Sequence, residues 1–199
     1  MGSISSHNKI IIMTNQEIRE DYEKKHLETI REMILKTQVG PFIHIIAKEK
    51  GEEKPVIMHI DVPADDDMQK ELFARHGLPA LKEDLKKSDM EIIFITFTTE
   101  SWLRKTDADK GIPENWKEIP PDECLCIFYS SADEQSLQLY DIVREEFEVD
   151  EHGNLIEKTY EVEINGTMYK KVEMKYNEEL SKNGGAFGGT FSNLYKQLT

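Results

Sequence analysis

The 199-residue sequence has little of what usually marks a membrane protein or a secreted domain. Its longest apolar runs, such as Ile10–Met13 and Ile92–Ile95, are far shorter than the roughly 20 residues of a membrane-spanning helix. The N-terminus lacks the basic segment and the apolar stretch of a secretory signal. These absences predict a cytoplasmic protein that does not associate with membranes.

Cysteine is also scarce, since the chain has only Cys124 and Cys126. Two residues apart in an apolar run, both would point to the same face of a strand. A disulfide between such close neighbours has poor geometry, and one Cys-x-Cys pair supplies half of the ligands of a structural zinc site. We therefore predict two buried thiols in a reducing compartment.

Positive charge is in short supply as well: 25 basic residues face 39 acidic ones, for a net charge of −14. Binding to nucleic acids or to anionic membranes requires a basic face, so neither is expected. An acidic surface favours a basic protein as partner. The sequence contains no Gly-x-Ser-x-Gly, no P-loop and no His-Glu-x-x-His motif.

What is present predicts an α+β fold, in which an antiparallel sheet is packed by a long N-terminal helix and two short helices. Thr14 and Glu17 have the spacing of a capping box at the start of the long helix. The short helices are expected from Asp65-Asp66-Asp67 to His76, ending at Gly77, and from Pro79 to about Lys87. The three aspartates could bind a cation, but capping of the helix explains their position.

Residues 1–8 are expected to be a disordered start, residues 9–182 a single α+β domain, and residues 183–199 a Gly-rich hinge with a short C-terminal segment. A short strand is expected over Lys9–Met13, before the long helix. The second half is predicted to be a meander of antiparallel strands. Leu137–Val149 fits both strand alternation and helical spacing, and we favour the strand. Asn165-Gly166 is the strongest hairpin signal in the chain, pairing Ile164 with Thr167.

A first hairpin is predicted from the apolar runs on either side of a charged segment that contains Gly51-Glu52. With those two residues at the centre of a type II′ turn, one face is wholly apolar, which supports the register. Its residues are Ile43, Ile45, Ala47, Val56, Met58 and Ile60.

The opposite face of that hairpin then pairs His44 with His59 and Phe42 with Asp61. Opposed Cβ atoms lie about 5 Å apart, so both imidazoles could bind one divalent transition metal, with Asp61 as a third ligand. The alternative is two partly exposed polar residues on the second face of the sheet, with no cofactor.

A third candidate region follows the most apolar strand, which is predicted over Glu91–Thr98. Glu100 and Trp102 emerge at its end, and Trp102 and Trp116 flank a loop rich in Asp, Gly and Pro. The three residues could line a ligand pocket or an interface, or the tryptophans could cover the edge of the sheet.

These observations favour a non-enzymatic accessory or interaction protein whose acidic surface binds a protein partner. The alternatives are a metal-dependent hydrolase that uses the His/His/Asp cluster and a small-ligand binder at the Trp-flanked loop.

Overall fold

A seven-stranded antiparallel sheet forms the centre of the molecule in a computed structural model of the chain. The structure describes residues 13–34, 39–52, 54–63, 67–104, 113–146, 151–152, 162–164, 167–178, 181, 191 and 193–199. The strand order is β2-β1-β3-β4-β5-β7-β6. The strands are β1 (Phe42–Glu49), β2 (Pro55–Asp61), β3 (Met90–Leu103), β4 (Asp122–Ser131), β5 (Gln135–Glu146), β6 (Val162–Ile164) and β7 (Thr167–Tyr176).

Helices cover both faces of this sheet, which confirms the α+β class. The described helices are α1 (Asn15–Ile34), α2 (Asp67–Leu72), α3 (Leu78–Lys87) and α4 (Leu194–Leu198), with a 3-10 turn at Trp116–Glu118. One core cluster joins α1 to one face, and a second joins α3 and α4 to the other. No helix in the described ranges is both long enough and apolar enough to cross a membrane.

The start of α1 follows the predicted capping box. Glu17 N donates to Thr14 Oγ1 at 3.2 Å, and Thr14 N donates to the Glu17 carboxylate at 2.7 Å. The buried side chains of the helix recur at every fourth residue, so they form one oblique row along the helix that faces the sheet. They are Ile18, Tyr22, His26, Ile30 and Ile34. Leu27 and Met33, which the apolar pattern places in the same stripe, are only partly buried.

The first hairpin has the predicted register, with His44 opposite His59 and Ile45 opposite Met58. The turn itself differs from the prediction. Glu52 N donates to Glu49 O at 2.9 Å, so Lys50 and Gly51, not Gly51 and Glu52, are the central residues. Gly51 has a φ of 91°, which suits the third position of a type II turn. The alternation of apolar residues determined the register in spite of the different turn.

Gly77 does not end a helix, contrary to the prediction. α2 continues through a π-helical turn at Phe73–Gly77 into α3, and Leu78 N donates to Phe73 O across that turn. A Cβ built on Gly77 would lie 2.6 Å from the ring of Phe73, which packs into the core beneath α3. Glycine is required here because the helix backbone approaches an aromatic ring, and not because the chain must turn.

The substitution Gly77→Ala should therefore destabilise the protein by about 1–2 kcal/mol, because crowding of Phe73 outweighs the helix propensity that alanine adds. Gly40→Ala is the matched control, since a Cβ there meets nothing within 4 Å. Chemical denaturation of both variants measures the difference. Equal midpoints for the two variants would show that the ring moves aside without cost.

The second half of the chain contains the predicted antiparallel strands. The segment Leu137–Val149, which fits both strand and helix periodicity, contributes to the strand β5, between β4 and β7. Ile164 pairs with Thr167 as predicted, although Asn165-Gly166 themselves lie outside the described residues. Three other predicted features also lie outside the described residues. They are most of the first strand in residues 1–12, two of the three aspartates in residues 64–66, and the glycines of residues 184–189. α4 packs on the sheet through Leu194 and Leu198, both 1% exposed.

Candidate functional site

A chain of polar side chains runs across the face of the sheet that α1 covers. Asp61 Oδ1 lies 2.9 Å from His59 Nε2, and His59 Nδ1 lies 2.7 Å from His44 Nε2. His44 Nδ1 is 2.7 Å from the hydroxyl of Tyr22, which in turn lies 2.9 Å from Thr96 Oγ1. We call these five residues the relay. All four spacings are within hydrogen-bonding distance.

The sheet register places the relay residues side by side. His44 is opposite His59 on β2 and opposite Thr96 on β3, so the three residues form one row across three strands. Tyr22 reaches this row from α1, and it is buried between the helix and the sheet. The relay therefore links two layers of the fold, the sheet and α1.

A second helix residue repeats the same contact one step further along. His26 Nε2 lies 3.0 Å from Thr98 Oγ1, just as the hydroxyl of Tyr22 meets Thr96. Four helical residues advance about 6 Å and two strand residues about 6.6 Å, so the two pairs stay in step. The rings of Tyr22 and His26 stack with centroids 5.0 Å apart. The two matching pairs hold α1 in one position along β3.

The hydrogen-bond requirements assign a direction to the relay. The Asp61 carboxylate can only accept, so His59 donates from Nε2 and accepts at Nδ1. His44 then donates from Nε2 and accepts at Nδ1 from Tyr22, whose oxygen accepts from Thr96. With neutral imidazole rings, this assignment gives every bridging hydrogen one acceptor, and the Asp61 carboxylate is the last acceptor in the row.

Burial explains why both inner imidazoles stay neutral. Burial, followed by the nearby His59, lowers the pKa of His44 to about 4. Burial, followed by His44 and His59, lowers the pKa of His26 to about 3. Burial also raises the pKa of Tyr22 well above its usual range. At neutral pH the inner part of the site is therefore polar but uncharged.

A cavity of about 350 Å³ opens beside the relay, between α1 and the first hairpin. Tyr22, His26 and His44 form its polar wall, and Ile46 and Ile57 are among its apolar walls. Asp21 and Lys25, an ion pair at 2.7 Å, also line it. An apolar cavity with a few convergent polar groups is the usual form of a ligand site.

The predicted metal ligands lie next to one another, but as hydrogen-bond partners. His44 Nε2 and His59 Nδ1 face each other across one hydrogen, and Asp61 bonds the far nitrogen of His59. Asp61 thus orients His59, as a supporting residue does in metal sites. Within the described part of the chain, no three His, Cys, Asp or Glu side chains are arranged to hold a metal ion. Metal binding stays a prediction.

β3 continues beyond its predicted end at Thr98 to Leu103, so Glu100 lies within the strand and Trp102 lies next to its last residue. The Glu100 side chain is 7% exposed, and it accepts from Val39 N at 2.8 Å. Trp102, by contrast, is 59% exposed, and nothing is described for the side chain of Trp116. The predicted Trp-flanked pocket stays a prediction, because residues 105–112 of the loop lie outside the described residues.

Glu100 belongs instead to a buried ionic cluster with Glu123 and Arg144. Arg144 binds both carboxylate oxygens of Glu123 at 2.8–3.0 Å, and its Nη2 lies 3.5 Å from Glu100. Arg144 Nη1 donates to the carbonyl of Ile34, at the end of α1. Two carboxylates share one guanidinium, and burial with a hydrogen bond to Glu123 raises the pKa of Glu100 to about 7. The cluster ties three strands to α1.

The sequence patterns missed His26, Thr96 and Thr98. One signal could have found His26, namely its four-residue spacing from Tyr22 and Ile30 in the buried stripe of α1. The threonines stand in an apolar run, where β-branched residues are expected in any case. Cys124 and Cys126 are buried thiols as predicted, and their sulfurs lie 3.8 Å apart.

Comparison with protein-family models, curated proteins and solved structures gives no match for this chain.

Proposed function

We propose that this chain is a non-enzymatic interaction protein whose acidic surface binds a basic protein partner. The net charge of −14 supports the proposal, because such a surface attracts basic proteins and repels nucleic acids. The charge is concentrated: residues 145–163 contain eight acidic residues and one basic residue, so this stretch holds −7 of the −14. Glu145 and Glu151, within this stretch, are exposed.

The groups with strongly shifted pKa values also support the proposal, because their described contacts have structural roles. The buried carboxylates Glu100 and Glu123 are held by Arg144, and the hydroxyl of Tyr22 is engaged by its neighbours on the sheet. Their pKa shifts accompany contacts that link the helix to the sheet. Structural networks of this kind perturb a pKa as effectively as an active site does.

A charge-reversal pair tests the proposal. The variant Glu145→Lys/Glu151→Lys should lose binding to the partner captured from a native lysate, and the wild-type complex should weaken steeply between about 50 and 300 mM salt. Glu83→Lys/Asp84→Lys on α3 changes the net charge by the same amount at exposed residues outside the acidic stretch, so it should retain most of the binding. Equal loss of partner binding in both variants would indicate general charge attraction without a specific docking site. Tight binding of the protein to plain duplex DNA would contradict the proposal.

A second candidate is a metal-dependent hydrolase, favoured by the adjacency of His44 and His59. The imidazoles would bind a divalent transition metal through His44 Nε2 and His59 Nδ1, which exchange their shared hydrogen for the ion. We then expect zinc, nickel or manganese to raise the melting temperature of the wild type and not that of His59→Gln. An absence of metal in elemental analysis, together with no melting shift, would remove this candidate.

A further inference from the structure

The wall of the cavity beside the relay includes His26, whose hydrogen-bond partners among the described residues leave one ring nitrogen unengaged. Thr98 is fully buried, and among the described residues its hydroxyl has no hydrogen-bond partner besides His26 Nε2. A buried hydroxyl without an acceptor is costly, so Thr98 donates and His26 Nε2 accepts. The neutral ring of His26 then carries its hydrogen on Nδ1, for which the described residues provide no acceptor.

The relay cannot satisfy that hydrogen. His44 uses Nε2 to donate to His59 and Nδ1 to accept from Tyr22, so both of its ring nitrogens are engaged. His26 is 5% exposed and lines the cavity. The described residues therefore supply no acceptor for the hydrogen on His26 Nδ1, and the open space of the cavity leaves room for one beside the ring.

The other residues that line the cavity indicate what kind of ligand it could hold. Ile18, Ile46, Pro55 and Ile57 contribute apolar surface, which suits a hydrocarbon or aromatic body. Lys25 also lines the cavity and is 70% exposed in an ion pair with Asp21. An exposed i,i+4 pair contributes little stability, so Lys25 can turn to a ligand anion at a small cost.

We propose that this cavity binds a small monocarboxylic acid with an apolar body, whose carboxylate accepts from His26 Nδ1–H and meets Lys25. The cavity volume of about 350 Å³ sets the size, since it lies near the lower limit of ligand sites and admits one short-chain or single-ring acid. A carboxylate is favoured over a neutral carbonyl because Lys25 supplies a complementary charge. This site is independent of the acidic surface that we propose for the protein partner.

Calorimetric titration with 3-phenylpropionate, and with 3-phenylpropanol as its neutral analogue, tests the assignment. We expect saturable binding of the acid and at least about tenfold weaker binding of the alcohol, as for the loss of a charge-assisted hydrogen bond. Long-range ¹H–¹⁵N NMR should show the hydrogen of His26 on Nδ1 and that of His44 on Nε2. Equal binding of acid and alcohol, or no saturable binding of either, overturns the proposal.

The double variant His26→Phe/Thr98→Val removes the donor while it keeps a ring against Tyr22 and leaves no hydroxyl without a partner. It should weaken binding of 3-phenylpropionate by about tenfold or more. His152→Phe, at an exposed position, is the control and should bind as the wild type does. A melting curve establishes that the double variant is folded; where it is not, Ile57→Trp at the exposed cavity wall blocks the same space and should abolish binding. Undiminished affinity in a folded variant assigns the ligand to another surface.

Discussion

Replacement of Arg144 by methionine is expected to destabilise the protein by about 3–5 kcal/mol, the largest effect of any single change considered for this chain. Arg144 is 9% exposed and pairs with the side chains of Glu123 and Glu100, which are themselves nearly buried. Methionine fills the space of the arginine stem but leaves Glu123 without its bidentate partner. The loss also frees the carbonyl of Ile34 at the end of α1. Urea denaturation at neutral pH measures the change.

Two further variants separate the charge effect from lost packing. Arg144→Met/Glu123→Gln removes the uncompensated carboxylate and should recover part of the lost free energy of unfolding. Arg75→Met breaks the ion pair with Glu71, whose partners are 70% and 61% exposed, and should cost less than about 1 kcal/mol. Similar destabilisation by Arg75→Met and Arg144→Met would contradict the importance of burial in this cluster.

The second large effect is acid destabilisation caused by the two neutral imidazoles. The pKa values of His26 and His44 are about 3 and 4 in the folded state, below their usual value of 6.5. Below pH 6.5 the unfolded chain therefore binds protons that the folded chain does not. The stability that is present above pH 6.5 is lost as the pH falls from 6.5 towards the folded-state pKa values. Between pH 7 and 5 the loss should be on the order of 2–4 kcal/mol, after allowance for solvent near His44.

His26→Gln keeps a partner for Thr98 and cannot take up the proton, so it isolates this effect. The slope of unfolding free energy against pH near pH 5 should fall by up to about 1.4 kcal/mol per pH unit, the value for one proton. Glu100 acts in the opposite direction, because its pKa of about 7 makes the folded state gain stability as the pH falls towards 4.5. The comparison between variants cancels that contribution. The ring of His152 is exposed, so His152→Gln should leave the slope unchanged. An unchanged slope in His26→Gln would mean that the ring of His26 is solvated in the wild type.

The sequence by itself determined the features that depend on neighbouring residues. The alternation of apolar residues in the first hairpin has one register that buries a complete face, so the pairing of His44 with His59 was predictable. The capping box at Thr14 and Glu17 placed the start of α1 for the same local reason. The excess of acidic residues needs no structure at all.

Only the tertiary structure decided which surfaces meet. Tyr22 and His26 find Thr96 and Thr98 across separations of 74 and 72 residues, and no local pattern encodes the face of the sheet on which α1 lies. Gly77 was predicted to end a helix because glycine usually does, whereas the ring of Phe73 requires it. Glu100 likewise looked like an exposed group at a strand end until β4 and β5 brought Glu123 and Arg144 beside it. The periodicity of apolar residues predicts whether a side chain faces inward. Its contact partners depend on how helices and strands that are distant in sequence pack together.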